Sequence, residues 1–333
     1  MSRVVALALV MTLVTACGGG GGGSAPEVTS VAGAPTLNIP PSQPGASNVL
    51  PVRVDAGPAN TGYNVNRLYT DVTICQPGSS TQCQTIQHVL VDTGSTGLRL
   101  LSSAMAPALN LNRQTVSAGL PLLNCAQFVD NTFAWGPVAT ADIWLAGKTA
   151  ASVPIQIIAD PAYNGQAAAC SGGGTAITTA AVLGANGIIG LGLFKEDCGA
   201  GCVAIANNGF YYTCTDATCA ATTGAKTSIA QQVKNPVPLF AADNNGVLID
   251  LPAVSSAGAS TLSGSLVFGI STQSNNQFTS GAVLTTSASG YITTVLAGRS
   301  LSTSFIDTGS NGLYFDSSTL PSCTRGKRKK CAL

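Results

Sequence analysis

The sequence has 333 residues, 45% of them hydrophobic and 9% charged, with 11 cysteines and a single histidine. At about 150 residues per domain this length predicts two domains, and the apolar content argues against a disordered chain. Without the leader and the last nine positions, the sequence contains nine basic and fourteen acidic residues, so the body of the protein has a net negative charge. This charge argues against a nucleic-acid-binding surface.

The chain begins with the pattern of a bacterial export signal. A short positive start is followed by an apolar run over 4–14 that is too short to span a bilayer, and small residues come next. The segment Val14-Thr15-Ala16-Cys17 resembles a bacterial lipobox, which implies cleavage after residue 16 and lipid modification of Cys17. An ordinary signal peptide with an incidental cysteine is the alternative. The sequence therefore predicts a protein anchored by lipid in the cell envelope, at the outer membrane of a Gram-negative bacterium.

A glycine- and proline-rich stretch over 17–47 predicts a tether that spaces the body from the lipid. From residue 48 onward, short apolar runs are broken every eight to twelve residues by Gly, Pro, Asn or Asp, which is typical of an all-β protein. We predict strands at 49–54, 68–74, 86–91, 141–145, 153–158, 266–270 and 291–296. Two short helices are predicted, at 102–109 and 227–233.

Ten cysteines follow Cys17, and six of them lie in close pairs, which are Cys75 and Cys83, Cys198 and Cys202, and Cys214 and Cys219. The last four could alternatively form a zinc site, but four-cysteine zinc sites commonly use tighter spacings. Because the predicted compartment oxidises thiols, we expect small-loop disulfides. Cys125 and Cys170 remain as a further pair by elimination, since connectivity cannot be deduced from sequence.

The strongest pattern is an internal repeat. Residues 90–98 (LVDTGSTGL) and 305–313 (FIDTGSNGL) share two apolar residues, Asp-Thr-Gly-Ser, one polar residue and Gly-Leu. One Asp-Thr-Gly is usually a turn. Here two copies occur, one in each predicted domain, and both have the same apolar residues before and after the motif. This repetition indicates a site to which each domain contributes one carboxylate, Asp92 and Asp307.

These residue types suit acid–base chemistry on a bound water. Two carboxylates about 3 Å apart cannot both ionise, so one acts as base while the other acts as acid. Water held between them can attack a peptide carbonyl without a metal, a cofactor or a covalent intermediate. The neighbouring side chains and glycines would support the loops through hydroxyl and backbone N–H donors; these are Thr93, Gly94, Ser95, Thr308, Gly309 and Ser310.

With these motifs, the sequence resembles the pepsin-like aspartic peptidases. Residues 186–192 (NGIIGLG) are similar to the family's stretch under the first catalytic loop, which implies a supporting role for Ile188, Ile189 and Gly190. Residues 133–147 look like the family's flap hairpin, with Trp135 and Gly136 as flap candidates and Trp135 where a tyrosine usually stands. The resemblance implies an all-β, bilobal architecture of double-psi barrels and endopeptidase activity on peptides or proteins.

The resemblance also divides the chain. We predict a signal peptide (1–16), the lipidated tether (17–47), a first lobe with a cysteine-rich insertion (48–246), a partial second lobe (247–322) and a basic tail (323–333). Family members continue further after the second motif, so the tail is interpreted as a frameshift or truncation, and activity is not expected in this form. The alternative for Lys327 to Lys330 is an anionic-lipid or nucleic-acid patch.

Two further alternatives concern function. The chain could be a lipid-anchored β scaffold that holds a peptide or a glycan in its cleft without cutting it, because fold does not dictate function. The single histidine, His88, could serve a nucleophile, but no serine or cysteine motif is placed to use it. We therefore expect His88 to be structural. The oligomeric state is not predicted.

Overall fold

The computed structural model describes residues 45–62, 64–116, 119–163, 168–216, 219–278 and 281–315, and for 168 and 169 it describes the backbone alone. The predicted signal peptide, Cys17, residues 17–44 of the tether and the basic tail lie outside the described residues. Strands make up 40% of the structure and helices 10%, so the predicted all-β class is confirmed.

The strands and helices are short and follow one another closely along the chain. The strands are β1 (Val49–Val54), β2 (Leu68–Cys75), β3 (Cys83–Asp92), β4 (Thr96–Leu101), β5 (Asn112–Arg113), β6 (Leu122–Gln127), β7 (Thr132–Leu145), β8 (Lys148–Ile158), β9 (Thr175–Ala176), β10 (Gly187–Leu191), β11 (Tyr211–Cys214), β12 (Thr222–Gly224), β13 (Val247–Asp250), β14 (Leu262–Phe268), β15 (Ile292–Leu296) and β16 (Arg299–Ser304). The α-helices are α1 (Ala168–Ser171), α2 (Ala180–Leu183) and α3 (Ala200–Ala204). The 3₁₀ helices are Ser102–Ala104, Pro161–Tyr163, Ile229–Gln231, Val237–Leu239 and Ser274–Asn276.

Six strands close into a barrel. Around it run β2, β3, β10, β4, β8 and β7, and β7 pairs back onto β2. β10 is parallel to β3 and antiparallel to β4, so it lies between two strands that follow each other in sequence. The inserted strand therefore separates the two ends of the loop that carries the first Asp-Thr-Gly-Ser motif.

The barrel interior is apolar. Side chains of all six strands contribute to one buried cluster that includes Val72, Val91, Leu98 and Ile155. Burying a side chain of this size contributes about 1.5–3 kcal/mol. The cluster includes Val91, next to Asp92 at the end of β3, and Leu98 near the start of β4, so both ends of the first motif are anchored in the packed interior.

Other strands extend the sheet on both sides of the barrel. β14 pairs with β1, and β13 pairs with β14, so residues of the predicted second lobe join the sheet of the predicted first lobe. On the other side β6 pairs with β7, and β11 joins β6 to β12. β15 and β16 form a separate two-stranded sheet.

All seven predicted strands overlap described strands. The prediction at 49–54 matches β1, four others lie within longer strands, and those at 266–270 and 291–296 extend beyond β14 and β15 by two residues and one. Two predicted helices were wrong. Residues 102–109 form only the 3₁₀ turn Ser102–Ala104, because Pro107 disfavours the helical conformation of the residue before it. In 227–233 the carbonyl of Thr227 accepts from the Gln232 side chain, which leaves only the 3₁₀ turn Ile229–Gln231.

Candidate active site

Asp92 is the last residue of β3, and it is only 6% exposed. Its partner in the parallel β10 is Gly190, and Ile189 pairs with Val91 one step earlier. A β-carbon on Gly190 would lie 2.6 Å from the backbone nitrogen of Thr96. The glycine therefore lets β10 pass beneath the first motif, where Ile188 and Ile189 are also buried.

The turn after Asp92 is stabilised by one hydrogen bond within the motif and by one from the residue that follows β10. The Gly94 N–H donates to Asp92 Oδ1 at 2.8 Å. Below the turn, the Gly192 N–H donates to the Ser95 carbonyl at 2.9 Å. A β-carbon on Gly192 would lie 2.6 Å from that carbonyl oxygen, so the residue after β10 must be small.

Asp307 occupies the corresponding place in the second motif, but it does not lie on a strand. β16 ends at Ser304, and residues 305–307 continue without strand pairing. The two apolar residues before the second aspartate are therefore not strand residues, unlike those before Asp92, and the Ile306 carbonyl accepts from Thr93 Oγ1 at 3.2 Å. The Gly309 N–H donates to Asp307 Oδ1 at 2.7 Å, and Ser310 Oγ donates to Oδ2 at 2.6 Å.

The two threonines join the motifs reciprocally. The Thr93 N–H donates to Thr308 Oγ1 at 3.2 Å, and the Thr308 N–H donates to Thr93 Oγ1 at 3.1 Å. Each hydroxyl then donates across the interface, Thr93 to the Ile306 carbonyl and Thr308 to the Val91 carbonyl at 2.8 Å. Four hydrogen bonds therefore relate the two motifs by an approximate two-fold symmetry.

Each glycine of the motifs faces the opposite carboxyl group. A β-carbon on Gly94 would lie 2.8 Å from Asp307 Cγ. One on Gly309 would lie 2.9 Å from Asp92 Oδ1 and 3.0 Å from Asp307 Oδ1. These short distances explain why both positions are glycine, and they place the two carboxyl groups side by side.

Burial and the neighbouring carboxylate change the acidity of this pair. Burial, and next the charge of Asp307, raise the pKa of Asp92 from 3.8 to about 7. The Gly94 N–H opposes this shift, as does the nearby Ser95 hydroxyl. Ser95 Oγ has no hydrogen-bond partner among the described residues, whereas the Gly94 N–H forms a hydrogen bond to Asp92 Oδ1.

The predicted flap residues lie elsewhere on their hairpin. The turn between β6 and β7 spans residues 128–131, whereas Trp135 and Gly136 lie within β7. The Trp135 indole donates to the Tyr163 carbonyl at 3.1 Å and packs against Tyr212. A β-carbon on Gly136 would overlap the Ile157 carbonyl, so a glycine is required here for β7 to pack close to β8. Neither residue forms the tip of a hairpin.

Four disulfides are present in the described chain, and they match the expected pairs. Three close short loops, between Cys75 and Cys83, Cys198 and Cys202, and Cys214 and Cys219. The fourth joins Cys125 of β6 to Cys170 of α1. The cysteines considered for zinc therefore form disulfides. His88 is half-buried and contacts Asp55 at 3.1 Å, away from the carboxyl pair.

A buried polar cluster that was not predicted from the sequence lies beside the first motif, and we call it the Arg99 network. Arg99 of β4 contacts Asp197 at 3.0 Å and also donates to Asn124 and Gln156. The Tyr211 hydroxyl donates to Asp197 at 2.6 Å. Burial raises the pKa of Asp197, against the opposing effect of Arg99. An arginine between leucines in a buried strand was the signal that could have revealed it.

The fold and site thus define an all-β barrel protein with two Asp-Thr-Gly-Ser turns that hold a pair of carboxyl groups. A family model described as a protein of unknown function (DUF3443) matches residues 44–330, and the chain belongs to this family. No curated protein matches the sequence. Among the described residues, no helix has both the length and the apolar character required to cross a membrane.

Proposed function

We propose that the protein is an aspartic endopeptidase of the pepsin-like type, in which Asp92 and Asp307 activate one water molecule. The observation that carries this proposal is the reciprocal bonding of Thr93 and Thr308, which brings together two carboxylates 215 residues apart in sequence. Such a pair holds one proton over a wide pH range, so one member can act as acid while the other acts as base. We propose a bilobal architecture with double-psi barrels on the same grounds, supported by the position of β10 between β3 and β4.

The proposed reaction depends on pH in a defined direction. The singly protonated pair is the active form. As the pH rises through about 7, the raised pKa of Asp92, this form is lost and peptide cleavage falls. Activity should therefore be found on the acidic side of neutrality.

The test is cleavage of an unfolded protein substrate at acidic pH. The sequence predicted no activity in this form, but both motifs and their reciprocal hydrogen bonds lie within the described residues, so we expect cleavage. A statine peptide should inhibit it, since statine mimics the tetrahedral intermediate, and a metal chelator should leave it unchanged. Asp130→Asn is the matched control, because Asp130 is an exposed turn residue and its variant should keep the wild-type rate. Loss of cleavage on adding the chelator would contradict the proposal. Statine binding without any cleavage would instead support the non-catalytic scaffold.

We also propose export and lipid anchoring at Cys17, on the basis of the lipobox-like segment and the tether behind it. The substrate would then be a peptide or protein at the cell envelope. Replacing Cys17 with Ser should move the protein out of the membrane fraction. Continued membrane association with unchanged electrophoretic mobility would contradict the anchor.

A further inference from the structure

The outer surface of the barrel carries an exposed tryptophan on β7. Trp144 is 38% exposed, although both of its neighbours in β7 are buried in the barrel cluster. Trp144 pairs with Thr73 of β2 and with Thr149 of β8, and Thr73 pairs with Thr85 of β3. Residues directly opposite each other on neighbouring strands point to the same face of the sheet. The four side chains therefore form one outward-facing row across four strands, which we call the Trp144 row.

The Trp144 row combines one indole with several hydroxyl groups. The Thr73 and Thr85 hydroxyls bond to each other at 2.7 Å, so one of their two protons stays available to a ligand. The indole N–H of Trp144 and the Thr149 hydroxyl have no hydrogen-bond partner within the described residues. Because neighbouring strands lie about 4.8 Å apart, the row extends over about 14 Å. It therefore offers a flat apolar surface with polar groups on both sides.

A cavity of about 390 Å³ opens beside the indole. Thr73, Trp144 and Thr149 line it, together with the turn that joins β7 to β8. Both residues of this turn are left-handed, Ala146 with φ 47° and Gly147 with φ 75°, as a tight two-residue hairpin requires. Ligand pockets in proteins commonly measure about 300–1,000 Å³ and are largely formed before the ligand binds. The cavity has such a size, and the tight turn fixes one of its edges.

The charges around the row are already compensated. Lys148, which also lines the cavity, forms an ion pair with Asp243, and the two side chains are only 13% and 3% exposed. Asp142 of β7 is buried and accepts two backbone N–H groups. On β2, Asp71 pairs with Arg53 at 2.7 Å. The row thus presents no unpaired charge, which favours an uncharged ligand.

We propose that the Trp144 row binds a neutral polysaccharide chain. The apolar face of a sugar ring stacks on an indole, while the sugar hydroxyls exchange hydrogen bonds with the threonines and the indole N–H. A protein partner would instead need an apolar core with several large side chains. Trp144 is the one large apolar side chain exposed on β2, β3, β7 and β8, all of which the structure describes.

The row is separate from the carboxyl pair. Thr85 lies seven positions before Asp92 on β3, which is about 20 Å along a strand. Binding at the row therefore does not depend on the proposed peptidase activity. Neutral polysaccharide of the cell envelope is the source to which we commit; that source rests on the proposed export, whereas the binding itself does not.

Calorimetric titration with two neutral tetrasaccharides, cellotetraose and N-acetylated chitotetraose, tests the proposal. We expect saturable binding of at least one of them. The sequence has two tryptophans, and Trp135 is buried, so binding should also change the fluorescence of Trp144. A hyaluronan tetrasaccharide, which carries carboxylates, should bind more weakly. Absence of saturable binding to both neutral probes, or tighter binding of the charged one, would overturn the proposal.

Variants locate the binding on the row. Trp144→Ala should weaken it by at least about tenfold. Thr149→Val keeps the branched shape but removes the hydroxyl, and it should weaken binding about two- to tenfold. Phe210→Ala is the matched control, because Phe210 is also 38% exposed but lies outside the row. Equal weakening by Trp144→Ala and Phe210→Ala would overturn the assignment.

Two further measurements keep the outcome decisive. If Trp144→Ala does not fold, Thr149→Val and the fluorescence of wild type carry the test. A wild-type dimer in sedimentation that Trp144→Ala dissociates would show that the row binds a second copy, and the proposal would be wrong. Asp92→Asn should bind the tetrasaccharides as wild type does, so loss of peptide cleavage would refute the proposed function alone.

Discussion

At the scale of single residues, the carboxyl pair depends on two glycines that each face the opposite aspartate. Gly94 has no room for a side chain, since a β-carbon there would lie 2.8 Å from Asp307 Cγ and 2.9 Å from its Oδ1. Real β-carbon contacts are longer than this, so any larger residue must push the two turns apart. The spacing of the pair is therefore set by the backbone of the motifs.

We expect Gly94→Ala to separate the two carboxyl groups and to destabilise the protein by about 1–3 kcal/mol, as overpacking does. Peptide cleavage should fall with it, because the pair can no longer share a proton and a water. Chemical denaturation and the rate of cleavage measure the two effects. Gly201→Ala is the matched control, since Gly201 lies in α3 with open space around it and alanine favours a helix. Equal behaviour of the two variants would contradict this account.

At the scale of elements, the Arg99 network ties β4, β6 and β8 to the chain that follows β10. Arg99 and the Asp197 side chain are 3% and 4% exposed, so each charge depends on the other for compensation. A second link comes from Tyr211, whose hydroxyl also accepts the Val233 N–H at 2.7 Å. A β-carbon on Gly97 would clash with Val233, which places this network directly beside the first motif.

Asp197→Asn should leave the buried charge of Arg99 uncompensated. The expected cost is about 3–5 kcal/mol, the range for breaking a buried pair by removing one partner. Asp71→Asn provides the surface comparison, because the Asp71 side chain is 37% exposed in its pair with Arg53. That variant should cost about 1 kcal/mol or less. Similar losses in the two variants, measured by urea unfolding, would show that the Arg99 network is not the stronger contact.

The elements also show what the sequence could and could not predict. Strand positions followed from apolar runs between turn residues, and the paired motifs followed from their repetition. The position of Arg99 between two leucines could have indicated a buried charge, but its partners could not be predicted, because they lie on distant strands and no local sequence pattern shows which strands pair. The flap assignment placed Trp135 by similarity alone, while the turn between β6 and β7 lies at 128–131. The unpaired residues 305–307 escaped prediction because their contacts are to the first motif.

At the scale of the whole molecule, the segments after residue 246 differ in how well they are packed against the rest of the described chain. β13 and β14 continue the large sheet through β1, with Leu266 and Phe268 fully buried. Within the part of the chain that the structure describes, β15 and β16 pair only with each other, and Val283 and Val295 are 78% and 69% exposed. A two-stranded sheet is marginally stable alone, so Asp307 depends on its bonds to the first motif for its position.

Limited proteolysis at neutral pH should therefore give a resistant fragment from near Leu50 to near Phe268, with early cuts between 281 and 306. This boundary lies later than the predicted end of the first lobe at 246, because β13 and β14 are paired with β1. Adding a statine peptide should slow the early cuts, since a ligand that binds both motifs stabilises the folded state. If the segment 281–306 resisted proteolysis without ligand as well as the fragment from Leu50 to Phe268 does, the claim that this segment is weakly packed would be wrong.

The central claim is that two distant motifs form one catalytic unit, and a double-mutant cycle on kcat/KM for peptide cleavage at acidic pH tests it most directly. Asp92→Asn and Asp307→Asn should each lower kcat/KM by at least about 10³-fold, and the double variant should lose no more than either single variant, because the residues act as a unit. A single variant that keeps the wild-type value, or losses that add in the double variant, would contradict the claim.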